Sequence, residues 1–257
     1  MKTFIVLAVC VACAFADYRD QPLGQESKFR GRIVGGIEVD IAGFPYQLSM
    51  RLNDDHWCGA SIISSNWAMS AAHCTYPAPP VSSMTFRAGS SSRTTGGTIF
   101  QAAEIVNHPL YDPVTIDNDV CVIRITTSFV GTDIVPITIV PIGTSFPHGT
   151  RSVVSGWGMT TPGGPLPVYL HAVNIPVVGQ DACRGLWGAQ RITENMICAG
   201  EFGRDACNHD SGSPLVTGGR QFGIVSWGTS QCGEQVGVYV NIGAASIRNF
   251  INSTTGV

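Results

Sequence analysis

The chain has 257 residues, 44% of them apolar and only 13% charged, with a formal net charge of −3. That balance excludes a disordered or fibrous chain and withholds the basic footprint a nucleic-acid binder needs. With 30 glycines and 15 prolines the chain is rich in turns, and one large all-β domain or two small ones fit this length.

At the N-terminus, Lys2 precedes an apolar run over residues 4–16 that ends in Ala14-Phe15-Ala16 before Asp17. A basic start, an apolar stretch and an A-x-A site read as a signal peptide over residues 1–16. The run is too short to cross about 30 Å of hydrocarbon, and no other comes close, so no membrane association is expected. Export places the mature chain in an oxidising, extracellular compartment such as a gut lumen. Residues 17–32 carry few apolar groups and no period, and read as a linker or pro-segment.

Of the 9 cysteines, Cys10 and Cys13 leave with the signal. The odd remainder implies three bridges and one free thiol, or an intermolecular bond. Cys121 lies in the β-branched run Val120-Cys121-Val122-Ile123 and reads as a buried, inert thiol. The others lie as near neighbours, Cys58 with Cys74, Cys183 with Cys198 and Cys207 with Cys232, a pairing that spacing suggests without establishing.

From Ile33-Val34-Gly35-Gly36 onward, short β-branched runs alternate with Gly, Pro, Asn and Ser. Ser61–Ile63, Ile134–Val140, Ser152–Ser155, Gly223–Ser226 and Gly237–Val240 read as strands of a barrel or sandwich. Only the end, Ala244 to Ile251, reads as a helix, with Ile247, Phe250 and Ile251 on one face.

Three strings carry chemistry: Ala71-Ala72-His73-Cys74, Asp117-Asn118-Asp119-Val120 and Asp210-Ser211-Gly212-Ser213-Pro214. A serine hydroxyl is a weak nucleophile until a base takes its proton, and the base needs a third group to fix its tautomer. His, Asp and Ser in that chain order match one known arrangement of such a triad. Together with Arg32-Ile33-Val34-Gly35-Gly36, Gly156-Trp157-Gly158 and Ser226-Trp227-Gly228, they make residues 33–257 resemble the trypsin/chymotrypsin-like serine proteases, closest to secreted digestive trypsins.

The resemblance implies an all-β fold of two packed six-stranded antiparallel barrels, over about 43–145 and 146–242, with a C-terminal helix over about 244–253. It implies His73 as general base and acid, Asp119 as its orienting carboxylate and Ser211 as nucleophile, with the N–H groups of His209 and Ser211 as oxyanion hole. Ser226, Trp227 and Gly228 would pair with the substrate backbone. The three near-neighbour disulfides follow from it, with Cys121 left free. Cleavage after Arg32 would free the amino group of Ile33 to pair with Asp210. The implied partners are protein or peptide substrates, an activating protease and protease inhibitors, acting on a monomer without a cofactor.

Asp205, with Gly228 and Gly237, would form a pocket for Arg or Lys, unless Arg204 neutralises that acid. Gly228-Thr229-Ser230-Gln231 is one residue longer than in usual trypsins, and Gly233–Val236 is shorter and lacks the customary proline. The first loop is similar to that of chymotrypsins and the second is shorter than in either group, so chymotrypsin- or collagenase-like specificity is the alternative. His209 and Ser213 stand where the family has glycines; a Cβ at position 209 penalises positive φ, so a weakly active or inactive homologue is the alternative. The region from Arg87 to Ile105 holds a single acid, Glu104, and no metal is expected there. Asn252-Ser253-Thr254 is a glycosylation sequon. His56, His108, His148 and His171 read as surface or strand-end residues.

Overall fold

The computed structural model describes residues 35–257; the expectations for the signal peptide, the pro-segment, Arg32 and Ile33 lie outside the described residues. Chain order gives β1 (Ile37–Glu38), β2 (Gln47–Leu52), β3 (Asp55–Ile62), β4 (Trp67–Ser70), β5 (Met84–Ala88), β6 (Thr98–Asn107) and β7 (Cys121–Ile125). Then come β8 (Thr138–Ile139), β9 (Arg151–Gly156), β10 (His171–Val178), α1 (Gln180–Trp187), β11 (Met196–Ala199), β12 (Pro214–Thr217), β13 (Arg220–Trp227), β14 (Gly237–Asn241) and α2 (Ala245–Thr255).

Two rings close. One runs β2-β3-β4-β7-β6-β5. In the other, β9 joins β10, then β11, β14, β13 and β12, which returns to β9. Every pairing around both rings is antiparallel; β1 adds to β10, and β8 pairs parallel with β13. Closure pairs most strand edges, although β4 covers β3 only at Ser61 and Ile62. The expected two-barrel architecture is the one found.

Alternation builds the walls. In β5, Met84, Phe86 and Ala88 point inward while Thr85 and Arg87 lie partly exposed, the period of two that a half-buried strand requires. Leu48, Met50, Met69 and Ile123 fill the first barrel, and Val154, Leu215, Ile224 and Tyr239 belong to the same buried core.

The helix α2 buries Ile247, Phe250 and Ile251 and ends where Gly256, at φ +75, donates its N–H to Asn252. Elsewhere the sequence reading needs correcting. The run Ile134–Val140 is strand only at β8, because Pro136 and Pro141 interrupt any longer ladder. The helix α1 goes unread in the sequence: Ala182, Cys183, Leu186 and Trp187 stand at helical spacing, but the stretch is short and holds Gly185. His56, His108 and His171 do stand at strand ends but are buried, with relative exposures of 8%, 5% and 1%. His108, for example, packs 4.8 Å from the ring of Phe250 and so ties the end of β6 to α2.

Disulfides join Cys58 to Cys74, Cys183 to Cys198 and Cys207 to Cys232, while Cys121 stays free and buried. No helix among the described residues is long and apolar enough to cross a membrane.

Candidate active site

His73 lies in a short helical turn, Ala72–Cys74, that follows β4. Asp119 fixes it twice: one carboxylate oxygen accepts the backbone N–H of His73 at 2.8 Å and the other accepts the Nδ1–H at 2.7 Å. A donor at Nδ1 leaves the lone pair of the neutral ring on Nε2. Asp119 is 1% exposed, and the residue before it, Asn118, turns at φ +53, a conformation asparagine tolerates. Ser226 on β13 donates its hydroxyl to the same carboxylate at 2.5 Å. Burial pulls the His73 pKa down, but the charge and hydrogen bond of Asp119 outweigh it, and the net shift is upward.

Ser211 sits in the turn between Cys207 and β12. Asp210 donates its N–H to Cys207, Ser213 donates to Asp210, and Gly212 donates to Val225 on β13. Gly212 is at φ +82, and a Cβ there would collide with Ser70 Oγ and with the Gly59 carbonyl; only glycine fits. The Ser211 carbonyl accepts the N–H of Gly59 at 2.8 Å. β3 therefore braces both loops, since Cys58 is bonded to Cys74 beside His73 and the Trp57 indole donates to the Cys74 carbonyl. No Ser211–His73 hydrogen bond is made among the described residues, a contact that commonly tightens only around substrate.

Asp210 is 0% exposed and accepts N–H groups from Gly158 at 2.7 Å and Cys207 at 3.0 Å. A Cβ on Gly158 would collide with this carboxyl group, so the glycine makes room for the acid. Burial pushes the Asp210 pKa up to about 7.

His209 adopts φ +72 despite its Cβ. Its carbonyl accepts the Nε2–H of His56 at 3.2 Å, and its own Nδ1–H donates to the Trp57 carbonyl at 3.3 Å. His56 accepts in turn from the Ser49 hydroxyl at 2.8 Å; desolvation lowers its pKa to about 4, so it stays neutral. Among the described residues, no acceptor takes the backbone N–H of His209 or of Ser211. Ser213 has its hydroxyl against Gly59 and Gly156, where a Cβ on either glycine would collide with it.

A pocket of about 260 Å³ opens beside Ser211, lined by Asp205, Ala206, Trp227, Gly228 and Gly237 among others. Asp205, 4% exposed, forms its floor and accepts the Tyr239 hydroxyl at 3.0 Å and the Ala206 N–H at 2.8 Å. Desolvation raises its pKa to about 7 against those two bonds. Arg204 does not neutralise it; the guanidinium pairs with Glu201 at 3.3 Å. A Cβ on Gly237 would stand 2.7 Å from Asp205 and would close the floor. At the rim, Trp227 packs edge-on against Trp187 at 4.9 Å, with the Arg191 guanidinium over both rings.

Cys58, His73 and Cys74 bring three ligand-type atoms within 4.8 Å of one another, but both sulfurs are bonded to each other, so the cluster is not a metal site. Sequence reasoning misses two features of the site, the Ser226 hydroxyl and the Ser49–His56–His209 chain of bonds. The motif around Ser226 speaks for its backbone alone, and His56 carries no motif.

Two closed barrels, with an aspartate-held histidine and a serine on adjoining loops, define a two-barrel serine protease. Residues 33–251 match the family model described as Trypsin. Trypsin alpha-4 of Lucilia cuprina is 37% identical over 258 residues, covering 98% of both chains. Trypsin delta of Drosophila melanogaster is 37% identical over 259 residues, covering 98% of this chain and 99% of its own. The chain belongs to the trypsin family and is a trypsin-like serine endopeptidase, a hydrolase acting on proteins.

Proposed function

We propose that the protein is a secreted digestive protease, made as a zymogen, that cuts after Arg or Lys. His73 Nε2 takes the Ser211 proton as Oγ attacks the scissile carbonyl. The developing oxyanion is met by the N–H groups of His209 and Ser211, and His73 then gives its proton to the leaving amine. Water repeats the sequence on the acyl-enzyme. Asp119 holds the ring and favours the imidazolium that forms. Ser226, Trp227 and Gly228 pair with the substrate strand by β-augmentation.

Arg/Lys specificity rests on the buried carboxylate of Asp205 in the pocket floor, which the missing side chain of Gly237 leaves open. Activation rests on Asp210, whose buried carboxyl group awaits the amino group of Ile33 once an activating protease cuts after Arg32. The lengthened loop Gly228–Gln231 favours the other specificity, cleavage after large apolar residues. A peptide library offered to the activated chain tests this: cleavage after Arg and Lys, lost in Asp205→Ser, is expected, whereas dominant cleavage after Phe, Tyr or Leu would overturn it. Turnover of a small arginyl ester separates the active enzyme from an inert homologue.

A further inference from the structure

Trp57 is the extra residue of a β-bulge in β3: His56 and Cys58 face Arg51 and Met50 of β2, and Trp57 faces neither. β4 covers the other edge of β3 only at Ser61 and Ile62. Between those points the edge is turned to the nucleophile loop, with Gly59 donating to Ser211. The Trp57 carbonyl is the next acceptor along that open edge, and the His209 imidazole holds it.

Direction follows from the pocket. On the reading above, the residue before the scissile bond enters the pocket between Asp205 and Gly228, which neither His209 nor Trp57 lines. The chain after the scissile bond must leave on the other side of Ser211, past the Cys58–Cys74 bridge and Trp57. An extended segment there gains affinity by adding to the β3 edge, and its ladder donor needs the carbonyl that His209 occupies. The imidazole is also packed from two sides, 6.4 Å from the Trp57 ring and 6.5 Å from the His56 ring, and its carbonyl is tied to His56.

We propose that the His209 side chain is a latch on the leaving-group side, which directs the enzyme to substrates with small or short leaving groups and against polypeptides that bind in extended form across Ser211. This inference rests on the proposed mechanism but reads a different quantity, the ratio of two activities. Ester and peptide share one oxyanion hole, and the peptides of different length share the same scissile amide, so an effect of position 209 on the hole acts on all of them and leaves the gain with length unchanged.

The test compares an arginyl ester with arginyl peptides extended by one, two and three residues after the scissile bond, in the activated chain and in His209→Gly. Glycine suits the positive φ, so the variant keeps the turn. In the parent, kcat/KM should gain less than about threefold as the peptide lengthens; in the variant the peptide-to-ester ratio should rise about tenfold or more, a difference of about 1.4 kcal/mol. A strong gain with length in the parent, or a ratio unmoved in a variant whose Ser211 still reacts with a phosphonofluoridate, would overturn the latch alone. A parent chain whose Ser211 fails to react would overturn the protease mechanism and the latch with it.

Discussion

The hydroxyl of Tyr239 donates to the Asp205 carboxylate at 3.0 Å in the floor of the pocket beside Ser211. This bond is one of two that hold the Asp205 pKa down against the larger effect of burial, which carries it to about 7. The pocket charge therefore titrates near neutrality in the free protein. KM for an arginyl substrate should rise as pH falls through 7, while KM for an apolar substrate stays level. Tyr239→Phe removes a bond that favours the carboxylate, so the acid limb should move to higher pH. Steady-state pH profiles of the two proteins with both substrates check this; coincident limbs would show that Tyr239 does not tune the pocket.

Asp210 predicts how activation changes stability. Its folded pKa, about 7, lies above the unfolded value near 3.9. In the uncut chain its contribution is therefore fully present below about pH 4 and is lost as pH rises through 7. On the proposed activation, pairing with the Ile33 amino group would compensate this at neutral pH, and a buried pair resists disruption by about 3–5 kcal/mol. Cleavage after Arg32 should raise Tm by on the order of 10 °C at pH 7 and by much less at pH 4. Arg32→Gln should show neither the shift nor activity after trypsin treatment. Calorimetry of cut and uncut chain at both pH values decides it.

On the proposed mechanism, Ser226 contributes through its side chain as well as its backbone. Its hydroxyl shares the Asp119 oxygen that orients His73. Hydrogen bonds to charged groups contribute about 1.5–3 kcal/mol. Ser226→Ala should lower kcat roughly 10- to 100-fold with little change in KM. A loss confined to KM would mean that the residue serves only in binding.

Cys121 donates its thiol to the Ala71 carbonyl at 3.3 Å inside the first barrel, and burial pushes its pKa up to about 12. The folded chain from Ile33 onward should show no thiol reactive toward a disulfide reagent, and one after unfolding without reductant. Rapid reaction of the native protein would contradict the burial of that strand.

Much of the fold and of the site is legible in the amino-acid sequence. The β-branched runs that become β9 and β14, the three strings around His73, Asp119 and Ser211, and the face of α2 are local patterns, and local patterns survive in sequence. The helix α1 leaves only a short trace there, Ala182, Cys183, Leu186 and Trp187 on one face, and its hold on the fold comes from the Cys183–Cys198 bridge and the Trp187 bond to the Val236 carbonyl. The Ser226–Asp119 bond joins residues 107 positions apart, and the His56–His209 bond residues 153 apart. Such pairings arise only when two barrels are closed and set together. His209 itself is conspicuous as a break in the expected motif, yet its φ of +72 and its grip on Trp57 emerge only in the folded turn.

The buried acid at Asp210 has one more consequence. The only lysines of the chain are Lys2 and Lys28, both upstream of Arg32. After cleavage there, the catalytic chain would hold a single primary amine, the one destined for Asp210. An amine-directed reagent such as cyanate or an activated ester would then have one target in the whole enzyme. Its uptake would count chains whose N-terminus is still outside, and its failure to react would count those already switched on.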